Sequence, residues 1–244
     1  MTEILYAMGL GNRVVGVSNA CDRPTEVRNK AKVGGMPNPS LEAILALKPD
    51  MVVMTQEGNP KSIADRLTKL GKKIYVFKAN RLPELPTGIR EMGQALGARD
   101  AAEGMARSIE TAMTEVSIRK QKQSKAEKAL FVIWPKPLIV AGGNTIINDA
   151  MKLNGLTNIA ADTTSVAYPH YSVEAVMQRQ PDIIIIGAAH DPDMKRQSKE
   201  LMKHLGMLDA VRKGRVCYVG DALYRPGSRI AEGLAELKQC EALR

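Results

Sequence analysis

Glu42 and Glu174 stand in two near-copies of one phrase, SLEAILALKPD (40–50) and SVEAVMQRQPD (172–182). Ser40, Glu42, Ala43, Pro49 and Asp50 recur as Ser172, Glu174, Ala175, Pro181 and Asp182 at a constant offset. A serine two residues ahead of each glutamate is an N-cap, and an acid in the first turn favours the helix dipole. Metal chemistry would call on His170, His190 and His204, but these lie in three segments without metal-ligand spacing, so a direct histidine-rich metal site is not expected. The glycines of GLGNRVVG (9–16) depart from the dinucleotide-binding spacing, and no strand precedes them. A G-x-S-x-G elbow, a phosphate-binding loop and a cysteine–histidine pairing are all missing from the sequence. No spacing in the sequence marks a catalytic site. A cofactor-handling enzyme on a related two-lobed fold is the distant alternative.

The elements that must carry these residues follow from hydrophobic periodicity. Short apolar runs at 13–18, 51–54, 73–77, 129–134, 137–142, 182–187 and 215–219 read as strands. Helices fit 40–48, 60–70, 145–154, 172–179, 193–204 and 227–243. The alternation argues for an α/β protein with parallel sheets. The repeat continues past its opening phrase: Asn59-Pro60 matches Asp191-Pro192, Leu70-Gly71 matches Leu205-Gly206, and IYVF (74–77) matches VCYV (216–219). Two copies this far apart predict two similar Rossmann-like lobes, 1–98 and 128–244. Between them, 99–127 is rich in helix formers and carries a Met105, Ile109, Met113, Val116 stripe, which predicts one long interlobe helix. A ligand cleft between lobes, outside the carboxyl ends of the strands, is the expected site.

Composition narrows the partners. The 244 residues carry a formal charge of +9, and two Phe and one Trp leave little for base stacking. Much of the excess sits in RKQKQSKAEK (119–128), so the expectation is a basic solvated surface and no nucleic acid. Cys21, Cys217 and Cys240 form no CxxC and no disulfide framework, and Cys217 reads as a buried thiol. They neither exclude nor establish an oxidising compartment. No apolar run approaches the roughly 20 residues that cross a bilayer. MTEILYAMGLG lacks the features of a signal peptide.

TEILYAMGLGNRVVGVS (2–18), KVGGMPNPSLEAILALKPDMVV (32–53), YPHYSVEAVMQRQPDIIII (168–186) and RPGSRIAEGLAEL (225–237) resemble the substrate-binding proteins of iron–siderophore and vitamin B12 ABC importers. The likeness covers essentially the whole chain. It implies a two-lobed, helical-backbone metal receptor that delivers ligand to an ABC permease dimer and is itself no enzyme. In that family a glutamate on each lobe docks into permease arginines, and the matching residues are Glu42 and Glu174. The resemblance also implies cleft-lining residues: Met36 and Asn38 in the GGMPNPS loop, Gln56 and Asn59 after the next strand, Trp134 at a strand end, Tyr168 and His170 in AYPHYS, and Tyr224 and Arg225 before the last helix. No cofactor is implied beyond a metal-containing ligand.

The expected ligand is a corrinoid, large and amphipathic. A ferric siderophore is the alternative, for which Arg23, Arg81 and Arg225 are available as basic contacts, and haem is possible through Tyr168 or His170. The resemblance implies export, as a periplasmic or outer-surface lipoprotein. It also implies a strand ahead of residue 1, without which a sheet edge would lie open or leave a slot that another chain could fill.

Overall fold

In the computed structural model the described residues are 1–56, 58–120, 126–187, 192–225 and 227–241. His190, Asp191 and residues 121–125 of the basic stretch lie outside them. The fold is α/β with parallel sheets, as the alternation predicts. Its packing divides into two units, 1–80 with 84–107, and 81–83 with 108–244.

Unit 1 opens with α1 (Thr2–Ala7), then a parallel pair, β1 (Gly16–Val17) and β2 (Ala31–Lys32). The apolar run at 13–18 yields only these two strand residues, because 11–13 turn as a 3-10 helix instead. The first copy of the repeat follows: α2 (Leu41–Ala46), β3 (Met51–Thr55), α3 (Lys61–Lys69) and β4 (Lys73–Phe77). β3 and β4 pair in parallel, Met51 with Lys73 through Thr55 with Phe77, and among the described residues the other edge of β3 has no partner.

An element with no counterpart in the expected pattern comes next, α4 (Leu85–Leu96). Pro86, Gly88 and Gly93 read as helix breakers, yet each has a use. Proline is tolerated in a first turn. The two glycines let the backbone come close: a Cβ on Gly88 would stand 2.8 Å from the Ala79 Cβ, and one on Gly93 would collide with the Ala102 side chain. Leu85, Ile89 and Met92 fill the buried face between them.

The long helix α5 (Arg99–Lys120) runs from unit 1 into unit 2. Its buried stripe is Ala102, Ala106, Ile109 and Val116. Met105 and Met113, expected on that stripe, are only half-buried. Small alanines rather than methionines occupy the packed face, a preference that periodicity in large apolar residues cannot reveal.

Unit 2 is built on one sheet. β5 (Glu127–Pro135) turns into antiparallel β6 (Leu138–Val140). After α6 (Ile146–Leu153), β7 (Leu156–Asn158) pairs with the start of β5. The second copy of the repeat supplies α7 (Val173–Arg179), β8 (Ile183–Ile186), α8 (Pro192–His204), α9 (Asp209–Arg212) and β9 (Val216–Tyr218). The order is β6-β5-β8-β9. β8 pairs in parallel with β5 on one side and β9 on the other. Every residue of Ile183–Ile186 is buried, as an apolar run without alternation requires of a central parallel strand. Leu130, Val132, Val176, Leu201 and Leu205 complete that core.

The closing helix α10 (Ile230–Glu241) is bound to β9 by a disulfide between Cys217 and Cys240. Cys217 is thus half of a cystine and not the buried thiol its strand pattern suggested. Cys21 is free. Among the described residues, no helix is long and apolar enough to cross a membrane.

The two copies of the repeat agree beyond their sequence. Ser40 and Ser172 both cap, accepting from Ala43 N at 3.1 Å and Ala175 N at 3.0 Å. Lys48 and Gln180, at matching positions after the helices, both have φ of 48°. A left-handed residue stops each helix and turns the chain into the strand.

Candidate functional site

In unit 1 the loops around β3 and ahead of α2 carry four candidate residues. Gly34 pairs with Pro39 across a tight loop, with Met36 and Asn38 at its exposed tip. Gly34 sits at φ of 98°, and a Cβ there would stand 2.8 Å from the Asn38 carbonyl oxygen, so this loop needs glycine. Asn59 ties the loop down. Its Nδ2 donates to the Met36 carbonyl at 3.1 Å, and its Oδ1 accepts from Thr55 N at 3.0 Å and Thr55 Oγ1 at 3.1 Å. Its amide is therefore spent on holding the loops together, while the Met36 and Gln56 side chains are left exposed.

In unit 2 the candidates fall into two groups. The first is a row across three adjacent extended segments. Trp134 pairs with Ile139, and Ile139 with His170. A register shift between Val132 and Trp134 re-aims the strand end. The Trp134 Nε1–H is occupied, donating to the Lys136 carbonyl at 2.8 Å, while the residue stays 37% exposed. An indole held by its polar atom and about one-third exposed can offer part of its ring for stacking. Tyr168, 38% exposed, lies two residues before His170. Ile139 was not singled out from the sequence. Nothing in LIV distinguishes it from core, and only the strand register puts it between two candidates.

The second group surrounds Asp221, in the loop between β9 and α10. The Asp221 carboxylate forms ion pairs with Arg225, Nε to Oδ2 at 2.7 Å, and with Arg229, to Oδ1 at 3.0 Å. Tyr224 packs over Gly187, where a Cβ would stand 2.9 Å from the ring. The Tyr224 hydroxyl is buried without a hydrogen-bond partner among the described residues. Burial first, and the Asp221 charge second, push its pKa well above the usual phenol range. Tyr224 is thus more packing than platform, and Arg225 carries a carboxylate of its own.

Arg81 is also engaged. It forks onto Asp149 of α6, with Nε at 2.7 Å, and Leu82 N adds a third bond at 3.1 Å. Beside this pair is a pocket of about 270 Å³ lined by Leu82, Pro83, Met113, Asp149, Lys152 and Leu153, none of them a candidate ligand contact. The described residues contain no cluster of three or more His, Cys, Asp or Glu able to hold a metal ion.

Glu42 and Glu174 are both exposed at the second position of their helices. Glu42 is held below the usual carboxylate range, chiefly by its own backbone N–H, then by the Ser40 hydroxyl that donates to it at 3.2 Å. Both stay free to meet a cation while fitting their helix ends.

Residues 1–223 match the model of a family described as periplasmic binding protein. The chain belongs to that family. It is 30% identical over 241 residues to the vitamin B12-binding protein of Pectobacterium atrosepticum, covering 97% of this chain and 86% of the relative. It is 30% identical over 246 residues to YvrC of Bacillus subtilis, an uncharacterized ABC transporter substrate-binding lipoprotein, covering 98% and 76%. Among solved structures, the apo form of the periplasmic heme-binding protein RhuT from Roseiflexus superposes with a TM-score of 0.87 at 25% identity, covering 100% of this chain and 95% of the other.

Proposed function

We propose that this periplasmic binding protein is the extracytoplasmic substrate-binding component of an ABC importer, and that it captures a corrinoid. The observation that carries the ligand class is the Trp134–Ile139–His170 row with Tyr168 beside it. Aromatic and apolar surface of this kind suits the broad face of an amphipathic macrocycle. An anionic ferric siderophore would call on basic residues. Two of the three available, Arg81 and Arg225, already face Asp149 and Asp221. Similarity to a vitamin B12-binding protein over nearly the full chain supports the same choice.

Similarity to a heme-binding protein favours a second reading, haem held through Tyr168 or His170. Both readings need a carrier that binds and releases without chemistry. An ABC permease is the partner, and Glu42 and Glu174 are its contacts. Arginine–carboxylate pairs set orientation and on-rate at such interfaces, and a two-fold permease suits one glutamate from each copy of the repeat. The disulfide supports an oxidising, extracytoplasmic location.

The test is titration of the purified chain with cyanocobalamin, haemin and a ferric hydroxamate, followed by fluorescence and calorimetry. Trp134 is the sole tryptophan, so quenching reports from the row itself. Saturable one-to-one quenching by cyanocobalamin is expected. Binding of haemin alone moves the assignment to haem, and binding of the hydroxamate alone moves it to siderophore uptake.

A further inference from the structure

The segment carrying Tyr168 and His170, from Ala161 to Tyr171, has no helix or strand of its own beyond the single bridge at His170. Something else must place it. Its carbonyls are held by donors at the end of β6 and on the short ledge that follows it. Val140 N bonds Pro169 O at 3.1 Å, Gly142 N bonds Ala167 O at 2.9 Å, and Gly143 N bonds Thr163 O at 2.9 Å. Asn144 Nδ2 adds Thr164 O at 3.1 Å. The loop lies directly on the two glycines. A Cβ on Gly142 would stand 2.7 Å from Thr163 O, and one on Gly143 would collide with Ala161 O.

The carbonyls of the same ledge point the other way, into buried side chains. Ala141 O accepts from Asn158 Nδ2 at 2.9 Å, Gly142 O from Thr145 Oγ1 at 2.9 Å, and Gly143 O from Asn148 Nδ2 at 2.6 Å. Asn158 Nδ2 also reaches Asn148 Oδ1 at 3.3 Å, so the two amides are joined. Asn148 and Asn158 are 0% and 3% exposed. The Ala141–Gly142 and Gly142–Gly143 peptides are thus gripped from inside, by Asn158 and by Thr145, and give their N–H groups to the loop, while the Ala141 N–H goes to the Phe131 carbonyl. Asn148 holds the Gly143 carbonyl, next to Asn144, whose side chain bonds the loop at Thr164. Buried networks with every member satisfied fix one arrangement.

We propose that Asn148 and Asn158 are positioning residues for the ligand: through the Ala141–Gly143 ledge they set where Tyr168 and His170 stand. This rests on the ligand role proposed above for those two side chains. Neither asparagine touches ligand. Each acts through backbone.

The experiment uses the full chain with Asn148→Ala, and Asn144→Ala as an exposed variant that loses only the Thr164 bond. Two readouts are taken. Amide hydrogen exchange at Gly142, Gly143 and 163–171 is compared with Ile184–Ile186, and the cyanocobalamin Kd is measured on the same samples. For Asn148→Ala, loop exchange is expected to rise about tenfold and Kd to rise about tenfold, with Ile184–Ile186 unchanged. Asn144→Ala should move both in the same direction by less. A folded Asn148→Ala whose loop exchanges like wild type overturns the proposal. So does faster loop exchange with an unaltered Kd, which makes the ledge structural only. Should Asn148→Ala not fold, Asn144→Ala and Asn158→Ser decide by the same readouts. The exchange arm needs no ligand. Failure of the wild type to bind cyanocobalamin would therefore count against the corrinoid reading, while exchange alone still decides whether the ledge places the loop.

Discussion

At Glu42 and Glu174 one side chain fits its helix end and carries the proposed permease contact. Each follows a capping serine by two residues and sits exposed in the first turn, where its charge favours the helix and remains open to a partner. Helix chemistry alone and permease docking predict different outcomes on charge reversal. We expect Glu42→Lys with Glu174→Lys to abolish uptake in a transport assay while the ligand Kd stays unchanged. Transport at the wild-type rate would reduce both glutamates to helix-end residues. The matching stop signals allow a second test. Lys48 adopts φ of 48° with no side-chain bond among the described residues, whereas Gln180 at the same φ donates to Met177 O at 2.6 Å. Lys48→Gly should therefore stabilise by about 0.5–1 kcal/mol in urea unfolding, and Gln180→Gly by less. Trp134, Tyr168 and His170 could be named as candidates because aromatic side chains at strand ends and in loops are distinctive. The loop-tying role of Asn59 and the pairing of Arg81 with Asp149 were not legible, since both depend on partners far away in sequence.

Elements were legible where large apolar residues set the period, and illegible where small residues did the packing. Strands β3, β4, β5, β8 and β9 and the helices of the repeat follow from pattern, but α4 was hidden by glycines that serve as contact surfaces. What holds α4 to α5 within unit 1 is also polar. Glu103 accepts from Arg90 Nε and Arg107 Nε, each at 2.7 Å. These two hydrogen bonds hold its pKa down to about 2, from 4.5. A carboxylate depressed by folding stabilises above its unfolded pKa and loses that contribution as pH falls through the folded value. Glu103→Gln should therefore flatten the stability profile between pH 4.5 and about 2 and leave its shape above that window unchanged, as thermal melts across pH would record. The Cys217–Cys240 bridge was equally hidden, because each cysteine occupies an apolar position in its own element. It closes a 23-residue separation around the Tyr224–Arg225 loop. Cys217→Ala with Cys240→Ala should lower stability by about 3 kcal/mol in denaturant unfolding, and the wild type in reducing agent should fall by a similar amount.

Across the whole molecule the same repeat is set in unequal surroundings. β8 has β5 on one side and β9 on the other, with every residue buried. β3, its counterpart, has β4 alone among the described residues, and of its five residues only Met54 is buried. The aspartates that precede the two strands show the same difference. Asp182 accepts from Lys128 N at 2.8 Å and returns its own N–H to Lys128 O at 2.7 Å, fastening the start of β5. Asp50 keeps the residue but, among the described residues, the edge of β3 away from β4 offers no strand for it to fasten. A parallel strand with one free edge and half-exposed side chains loses both ladder bonds and apolar burial, so its amides open at lower free energy than those of a central strand. Native-state hydrogen exchange should therefore show Val52–Thr55 exchanging well ahead of Ile184–Ile186, although the sequences are near-copies. Equal protection in the two strands would mean that the open edge of β3 is covered in solution, and a disulfide-intact sample would be needed so that unit 2 is measured at its full stability.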